Sequence, residues 1–596
     1  MSVKIQLKNY TQMDKSSEIK NCQNCKKDFV IEQEDFKFYE KIKVPPPTFC
    51  PECRAQRRMS WRNVRNLYKR NDNFSSNKII SVYSKDIKLK IVEQKEWHGD
   101  GWDPLSFGME YDFSKSFFEQ FNELLKNTPL PNISTINCKN SEYVNMLVDS
   151  KNCYLVFSSS GNQDCCYSEG INNCQNCYDV LSSFNNNYIC ESINCNNSFN
   201  LTHSLSSSNC IDSSFLYDCN NCSSCFGCWN LRNKKYCIFN EQFSREEYFK
   251  KINLFNLGSY KNRLEIRNIY NQKVQKSIRK FANIVKSENV TGDDIQNSKN
   301  CFNVFDISES LNSKYVWRTL GGKSFNSYDI SVGLNNELCY ESCGVGLSVS
   351  AYNTSFAIGA GDSSYCSYIQ FCLSGCKNLF GCVGLKNKSY CILNKQYTKE
   401  EYEELVPKII KHMNDMPYID SKGRIYKYGE FFPSELSPFC YNETIAQEYF
   451  PLTKEQALEQ GYKWKEKEER NYTIDIKNED IPDDISNVSE DIINKVIECH
   501  HSTSSWQVKN GECNEQCTEA FKIIEAEYQF YKRMNLPLPR LCPNCRHYQR
   551  LKQRNPLKLW HRKCMKPGCT NEFETSYAPE RPEVVYCERC YQNEVY

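Results

Sequence analysis

The 596-residue sequence lacks several features that would place it in a common functional class. It has no run of about 18 consecutive apolar residues, the length that a membrane-spanning helix needs. Its first residues, MSVKIQLKNYTQMDK, contain no apolar stretch of the kind found in a secretion signal. The formal net charge is only +2, which argues against a uniformly basic nucleic-acid-binding protein. We therefore expect a soluble protein of the reducing cytoplasm.

Catalytic motifs are also scarce. The seven histidines form no His-Glu-x-x-His motif, and the stretch Gly321-Gly322-Lys323-Ser324 lacks the preceding glycine and strand of a phosphate-binding loop. Acidic residues in the repetitive tracts described below are scattered, without the pair of carboxylates that sugar hydrolysis requires. The sequence predicts a protein without enzymatic activity. A β-solenoid carbohydrate-active enzyme is the less favoured alternative.

What the sequence does contain is cysteine, at 36 positions. In a reducing compartment cysteine serves as a metal ligand or as a small buried side chain. Residues 25–53 and 517–545 are two copies of one module, which align without a gap at an offset of 492 residues. Both copies contain Phe-Tyr, Pro-x-Pro and Cys-Pro-x-Cys-Arg at matching positions. Two cysteine pairs at this separation are typical of a structural zinc site with four thiolate ligands.

Three such sites follow from the spacing of the cysteines. The first site would use Cys22, Cys25, Cys50 and Cys53, the second Cys513, Cys517, Cys542 and Cys545, and the third Cys564, Cys569, Cys587 and Cys590. His561 is an alternative to Cys564, although four thiolates are favoured. The expected cofactor is Zn²⁺, at about three ions per chain on the four-coordinate rule.

The N-terminal copy has lost its counterpart of the third site. Aligning the two copies places Asp72, Asn77, Glu93 and Glu96 at or near the positions of the four cysteines. Oxygen ligands bind zinc far more weakly than thiolates do. We expect no metal in this half, and packing by Trp97 and Trp102 in its place.

Two central tracts are repetitive. Residues 137–243 and 298–397 contain short Asn, Ser and Cys clusters with aromatic residues at intervals of about 10 to 13. This pattern predicts two β-solenoid arms, in which each coil buries one face only by stacking on its neighbours. Each arm ends in a shared segment that leads into a capping-box pattern, at Ser244–Glu247 and at Thr398–Glu401. These segments are interpreted as end caps.

Cysteines inside the arms could also bind metal, and Cys222, Cys225 and Cys228 are the best alternative ligands. Burial as small side chains is the favoured interpretation.

The predicted domains are a zinc module with a degenerate second half (1–105), a helical connector (106–136), the first arm (137–243), a helical insertion (244–297), the second arm (298–397), a helical and aromatic segment (398–472), a solvated acidic linker (473–498) and a double zinc module (499–596).

Basic side chains follow the second cysteine pair of each module. In the first copy they recur at helical spacing and predict one cationic helix face; the second copy has a similar stripe. The two sets are Arg54, Arg58, Arg62, Arg65 and Lys69, and Arg546, Arg550 and Arg554. Such a stripe suits the phosphates of RNA or DNA. The alternative is a solvated face that neutralises zinc-bound thiolates. Tyr548 and Trp560 could stack on bases, although packing in the core is favoured.

The modules resemble the treble-clef, probable zinc-ribbon family. Most of the chain is similar to cysteine-rich, multi-zinc-ribbon proteins of candidate-phyla-radiation bacteria, on the residues Trp102–Leu105, Glu435–Phe439, Leu559–Cys564, the Asn-Cys-Tyr coils and the two caps. The resemblance implies an architecture and assigns no activity. The predicted fold is mainly β with helical insertions, with two β-solenoid arms flanked by treble-clef or zinc-ribbon modules. The predicted function is a zinc-binding interaction scaffold whose modules contact RNA or a ribonucleoprotein. The alternative is a protein-only assembly platform that uses the solenoid faces for partner proteins or self-association.

Overall fold

The structure is a computed structural model that describes residues 17–319, 321–346, 350–468, 472–504 and 515–596. The chain divides into two compact units. Unit 1 comprises residues 1–59, 104–128 and 324–437, and unit 2 comprises residues 60–103, 129–323 and 438–596. Each unit contains a cysteine module and a stack of β-solenoid coils, and each is described by itself below.

Unit 1 begins with a hairpin, Glu18–Asn21 and Asp28–Ile31, and the helices Gln33–Lys41 and Pro51–Met59. Its other helices are Phe117–Asn127 and Lys399–Asp415, with a small hairpin at Tyr418–Ile419 and Ile425–Tyr426. Its solenoid strands are Ser324–Phe325, Tyr328–Gly333, Asn336–Glu337, Tyr340–Val345, Ala351–Tyr352, Ser355–Ala360, Ser363–Ser364, Ser367–Gln370, Cys376–Phe380, Ser389–Ile392 and Lys395–Gln396.

Unit 2 contains the longer stack of coils. Its solenoid strands are Thr135–Ile136, Asn145–Val148, Phe157–Ser160, Glu169–Asn172, Gln175–Phe184, Asn187–Ile193, Phe199–Thr202, Ile211–Ser214, Ser223–Phe226, Lys235–Ile238 and Glu241–Gln242, and, after two helices, Ile284–Val285, Glu288–Gln296, Lys299–Ser308 and Leu311–Trp317. Its helices are Gln94–His98, Arg245–Asn253, Tyr260–Gln275, Ile445–Tyr449, Lys454–Glu459, His500–Ser504, Glu525–Met534, Pro543–Leu551 and Glu588–Val595. Short strands also lie at Tyr68–Asn71, Lys78–Ser81, Ile91–Val92, Leu130–Pro131, Ile278–Lys280, Ile497–Glu498, Ala520–Phe521, Trp560–Lys563, Glu572–Thr575 and Val584–Tyr586.

The coils of the first stack are 12 residues long and pair in parallel. Asn187, Phe199, Ile211 and Ser223 follow one another in register on successive coils. Every third residue has positive φ, as Asn137, Asn140, Tyr143 and others show. Each coil therefore has four left-handed corners. This geometry favours Asn and Asp, which tolerate the left-handed region better than other non-glycine residues do.

The residue after each corner points inward. Val144, Leu147, Ser150, Cys153 and Val156 are all buried. A coil of 12 residues encloses little space, so the inward positions take small side chains. Inward thiols and hydroxyls donate hydrogen bonds to nearby backbone carbonyls, for example Cys153 Sγ to Lys151 O (3.5 Å) and Ser183 Oγ to Leu181 O (3.1 Å). This explains the high cysteine content of the arms.

The stacks end in the predicted caps. Cys237 and Cys391 each pair with an antiparallel strand, Glu241–Gln242 and Lys395–Gln396 respectively. Helices then begin at the predicted capping boxes of Ser244 and Thr398, which are confirmed. The mainly β fold, with a solenoid in the middle of the chain and cysteine clusters near both ends, is confirmed as well.

Two predicted segments differ from the structure. Parallel coils resume at Ile284–Val285 and Glu288–Gln296, within the predicted helical insertion. Asn289 and Asp294 occupy left-handed corners there, without the aromatic residues that marked the other coils. The predicted solvated linker, 473–498, instead packs into the core of the C-terminal module. Its Ile481, Ile485, Val488 and Ile492 are buried beside Tyr528. Alternating with the acidic residues, these apolar side chains bury one side of the segment and leave the charges outside.

Candidate metal centres and the faces that dock them

The N-terminal cysteine tetrad lies in unit 1 and contains the four predicted residues. Cys22 and Cys25 come from the turn of the first hairpin, and Cys50 and Cys53 from the start of the helix Pro51–Met59. Their sulfur atoms all lie within 4.8 Å of one another, and the Sγ atoms of Cys25 and Cys50 are 3.7 Å apart. The N–H of Cys50 donates to Cys22 Sγ (3.2 Å). Such donors stabilise a thiolate.

The second tetrad, in unit 2, has one unexpected member. Cys499, Cys517, Cys542 and Cys545 lie within 4.8 Å of one another. Cys513, the predicted ligand, falls outside the described residues. The N–H of Cys542 donates to Cys499 Sγ (3.2 Å), the same contact that Cys50 makes with Cys22. Cys499 is therefore the structural counterpart of Cys22.

The spacing of the cysteines hid this ligand. Cys22 precedes its partner Cys25 by three residues, whereas Cys499 precedes Cys517 by 18. The sequence feature that could have identified Cys499 is the short apolar stretch Val496-Ile497 before it. In both modules a strand ends directly before the first ligand, at Asn21 before Cys22 and at Glu498 before Cys499. In the structure, Ile497–Glu498 pairs with Ala520–Phe521 and brings Cys499 to the site.

The third tetrad also contains its four predicted cysteines, Cys564, Cys569, Cys587 and Cys590. The Sγ atoms of Cys569 and Cys587 are 3.9 Å apart. Burial opposes ionisation of Cys587, but the N–H of Cys590 and the amide of Asn571 outweigh it and lower the pKa of Cys587 to about 6. His561 is exposed and bonds to Glu572 and Glu574, so the alternative in which it replaces Cys564 is wrong.

The donor sets fit a tetrahedral, thiolate-bound ion. Four sulfurs at about 2.3 Å from zinc lie about 3.8 Å from one another. The measured Sγ–Sγ distances of 3.7 Å and 3.9 Å agree with this value. All three tetrads can therefore hold a metal ion through four protein ligands, an arrangement that leaves no coordination position for a substrate.

The degenerate half of the N-terminal copy replaces sulfur with a hydrogen-bonded carboxylate. Asp72 accepts the N–H groups of Phe74 (2.6 Å), Ser75 (2.7 Å) and Glu93. Burial opposes ionisation, but these donors outweigh it and lower the pKa of Asp72. Glu93 N–H bonds to Asp72 as Cys587 N–H bonds to Cys564 Sγ, so Asp72 takes the place of the first ligand. Trp97 is fully buried nearby, as expected, and donates to Pro129 O.

The first basic stripe is not a solvated helix face. Arg54 and Arg58 are each 1% exposed and both bind Asp329, at 2.8 Å and 3.1 Å. Arg57 lies beside them and reaches Glu341 (3.2 Å). A further carboxylate, that of Glu430, accepts from Arg57 at 3.0 Å. Three guanidinium groups thus meet three carboxylates inside unit 1, and the prediction of an exposed phosphate-binding face is wrong for these residues.

The remaining cations of this stripe are not on the helix, which ends at Met59. Arg62 is buried and donates to Ser158 Oγ (3.4 Å), and Arg65 pairs with Glu169 (3.3 Å). Lys69 is exposed in the strand Tyr68–Asn71. The predicted single face of five cations is therefore wrong, because the chain leaves the helical conformation before Arg62.

The second stripe is buried in the same way. Arg546 and Arg550 bind the two oxygens of Asp179, at 2.6 Å and 2.7 Å. Glu527 lies 3.3 Å from Arg546. Arg554, beyond the end of the helix Pro543–Leu551, is half-buried and donates to the Tyr449 hydroxyl (2.9 Å). Tyr548 and Trp560 are half-buried.

Both modules dock on their coils through the same contacts. Phe38 stacks on Tyr328 and Phe530 stacks on Tyr178, each at 3.9 Å between ring centroids and 13° between planes. The aspartate that follows each tyrosine, Asp329 or Asp179, binds the two arginines. Sequence reasoning missed these acceptors. The available signal was the recurrence of Tyr-Asp followed by Val or Ile at 178–180 and 328–330.

A further buried cluster in unit 2 resembles a metal site by composition only. Glu169, Glu448 and His547 bring their ligand atoms within 4.8 Å of one another. Arg65 and Arg318, however, lie 3.3 Å and 3.4 Å from Glu169. These guanidinium groups already supply the positive charge, so the donor set does not suit a cation. Among the described residues, the solenoid cysteines form no metal-binding group, and the predicted preference for simple burial agrees with their carbonyl contacts.

Comparisons with known proteins identify no family to which the chain belongs. Neither the family models nor the curated proteins with which the sequence was compared match it. Among the described helices, none combines the length and apolar character needed to cross a lipid bilayer. The tetrads and the docking contacts of their modules are therefore the features of the molecule that bear on its function.

Proposed function

We propose that the protein is a zinc-dependent, non-enzymatic scaffold. Zinc-ribbon modules of treble-clef type, each closed by four thiolates, would hold their basic helices against the β-solenoid coils. The observation that carries this proposal is the repeated docking contact, in which a module arginine pair binds one solenoid aspartate beside a stacked Phe-Tyr pair. A closed zinc site stabilises a fold and offers no open position to a substrate.

The docking contacts also bear on the kind of partner. Most of the arginines expected to bind phosphates are engaged by carboxylates, so we favour protein partners over RNA. The carboxylate-bound set is Arg54, Arg58, Arg65, Arg546 and Arg550. Exposed apolar side chains on the coils supply a surface for a protein. Phe199 and Ile211 are 44% and 47% exposed and pair in register on successive coils of unit 2. Isolated exposed apolar residues are ordinary, but adjacent ones in register form a patch.

Metal content and cross-linking test the proposal. The full-length chain, purified without chelator, should contain about three zinc ions, and EDTA should expose the docking helices to protease. A photo-cross-linking amino acid at Ile211, introduced in the source cell, should capture a protein, and the same group at exposed Lys151 should not. Capture of RNA at Ile211, or equal capture at both positions, would contradict the protein-scaffold proposal. Absence of metal from the folded chain would remove its foundation.

A further inference from the structure

A cavity of about 420 Å³ lies in unit 2, between the coils and the C-terminal module. Its floor is one column of corner residues, Glu191, His203 and Phe215, from successive coils. One wall is the helix Tyr260–Gln275, and the other is formed by residues 537–541 and by residues from the helix Pro543–Leu551. The volume lies within the usual range for small-molecule sites, about 300–1,000 Å³.

The lining of this cavity is cationic. Arg263, Arg267, Arg540, Arg546 and Lys552 line it together with two described carboxylates, those of Glu191 and Glu515. Behind the lining, Asp179 and Glu527 bind Arg546, and Glu515 pairs with Lys552. Several guanidinium nitrogens are buried without a hydrogen-bond partner, namely Arg263 Nη1, Arg540 Nε, Arg546 Nε and Arg546 Nη2. Nitrogens such as Arg70 Nε, away from the cavity, are buried in the same way, so the cationic lining, and not these covered atoms, favours an anionic ligand.

Arg267 adds a cation whose attraction to Glu191 acts over a longer distance. Its side chain is half-buried in the cavity wall and makes no direct hydrogen bond or ion pair with the residues that the structure describes. Its neighbour on the same helix face, Arg263, binds Glu191 at 3.4 Å through Nη2. One carboxylate therefore serves two guanidinium groups on this wall, and a bound anion would supply a second negative charge.

The N-terminal copy of the module shows how the same position can be filled by protein. There Arg57, the counterpart of Gln549, is buried against Glu341. Glu341 occupies the corner one coil after Asp329, and Glu191 occupies the corner one coil after Asp179. In the C-terminal copy Gln549 is exposed and lines the cavity, and Glu191 turns to Arg263 and His203. The C-terminal module thus has both docking arginines, Arg546 and Arg550, but has Gln549 where the N-terminal module has the arginine that binds the acid one coil later.

We propose that this cavity binds a phosphate ester of about mononucleotide size. Guanidinium groups on the helix wall would engage the phosphate oxygens, since their planar forks match phosphate geometry. Tyr260 lines the same wall, with the Arg540 guanidinium 4.9 Å from the centre of its ring, and together with Phe215 and Leu264 supplies apolar contacts for the organic part of the ligand. Glu191 and Glu515 can accept hydrogen bonds from its hydroxyl groups. This site goes beyond the scaffold proposal and does not depend on the identity of the protein partner.

Calorimetric titration of the zinc-loaded full-length chain tests the site with inorganic phosphate, pyrophosphate, AMP and adenosine. AMP should bind at least tenfold more tightly than adenosine, because the phosphate supplies the charge-assisted contacts. R267Q should weaken AMP binding about tenfold. K261Q is the matched control, since Lys261 is exposed on the same helix and does not line the cavity.

Three results would overturn the proposal. These are adenosine binding as tightly as AMP, equal weakening by R267Q and K261Q, or no binding of any phosphate probe by a chain that contains its zinc. Since the Arg267 side chain makes no direct hydrogen bond or ion pair with the described residues, R267Q should change the melting temperature by no more than K261Q does. Zinc content and melting are measured on the same samples, so failure of this site is distinguished from failure of the scaffold proposal.

Discussion

Replacing Asp179 with asparagine should release the C-terminal docking helix. Asp179 binds Arg546 and Arg550 at 2.6 Å and 2.7 Å, and all three side chains are buried. Breaking a buried ion pair costs about 3–5 kcal/mol because a charge is left without a partner. Glu527 still lies 3.3 Å from Arg546, so we expect the lower end, about 3 kcal/mol. Asparagine tolerates the left-handed backbone at this corner, where φ is 58°, so the coil itself should remain.

Hydrogen exchange measures this change locally, which matters because a chain with several modules need not unfold in one step. At about 1.4 kcal/mol per tenfold, amides of the helix Pro543–Leu551 should exchange about a hundredfold faster in D179N. D212N is the matched control, since Asp212 also occupies a left-handed corner but is exposed. Equal exchange in wild type and D179N would refute the proposed role of the docking arginines.

The remaining predictions concern metal, packing and pH. Cys542→Ser should reduce the zinc content from about three ions to two by elemental analysis, whereas Cys210→Ser, at an inward solenoid position, should leave it unchanged. Phe530→Ala should cost about 3–5 kcal/mol in the local opening of the module, measured by hydrogen exchange, because the ring stacked on Tyr178 is lost; Phe199→Ala, at an exposed position, should cost little. Burial and the neighbouring Asp293 raise the pKa of Asp294 to about 7. The folded chain then holds a proton that the unfolded chain releases near pH 4, so stability should fall from about pH 4 to pH 7 in wild type relative to D294N; parallel pH profiles of urea unfolding in the two proteins would contradict this.

Local patterns were sufficient for much of the fold. Cysteine spacing identified eleven of the twelve tetrad members that the structure brings together, because most of these cysteines come in pairs close together in the sequence. The capping boxes at Ser244 and Thr398 were also local, since three residues define each one. Cys499 was missed because a strand, and not a short turn, brings it to its site.

The role of the arginines could not be predicted from local patterns. A helical stripe of cations has the same sequence whether it faces water, phosphate or buried carboxylates. The acceptors lie far along the chain, with 275 residues between Arg54 and Asp329 and 367 between Arg546 and Asp179. Only the tertiary pairing distinguishes these cases. The acidic segment 473–498 was misjudged for a related reason, because its buried isoleucines find their partners in the module that follows.

The regular corners of the first stack limit how that stack can change in length. There a left-handed residue at every third position is followed by an inward one, and four such triplets close each 12-residue coil. Deleting one residue would move every later inward side chain onto a corner until a compensating insertion restored the phase. Gain or loss of a whole coil keeps both sets in place and changes the length of the stack by about 4.8 Å. Duplication of whole coils therefore lengthens such a stack without redesigning its interior.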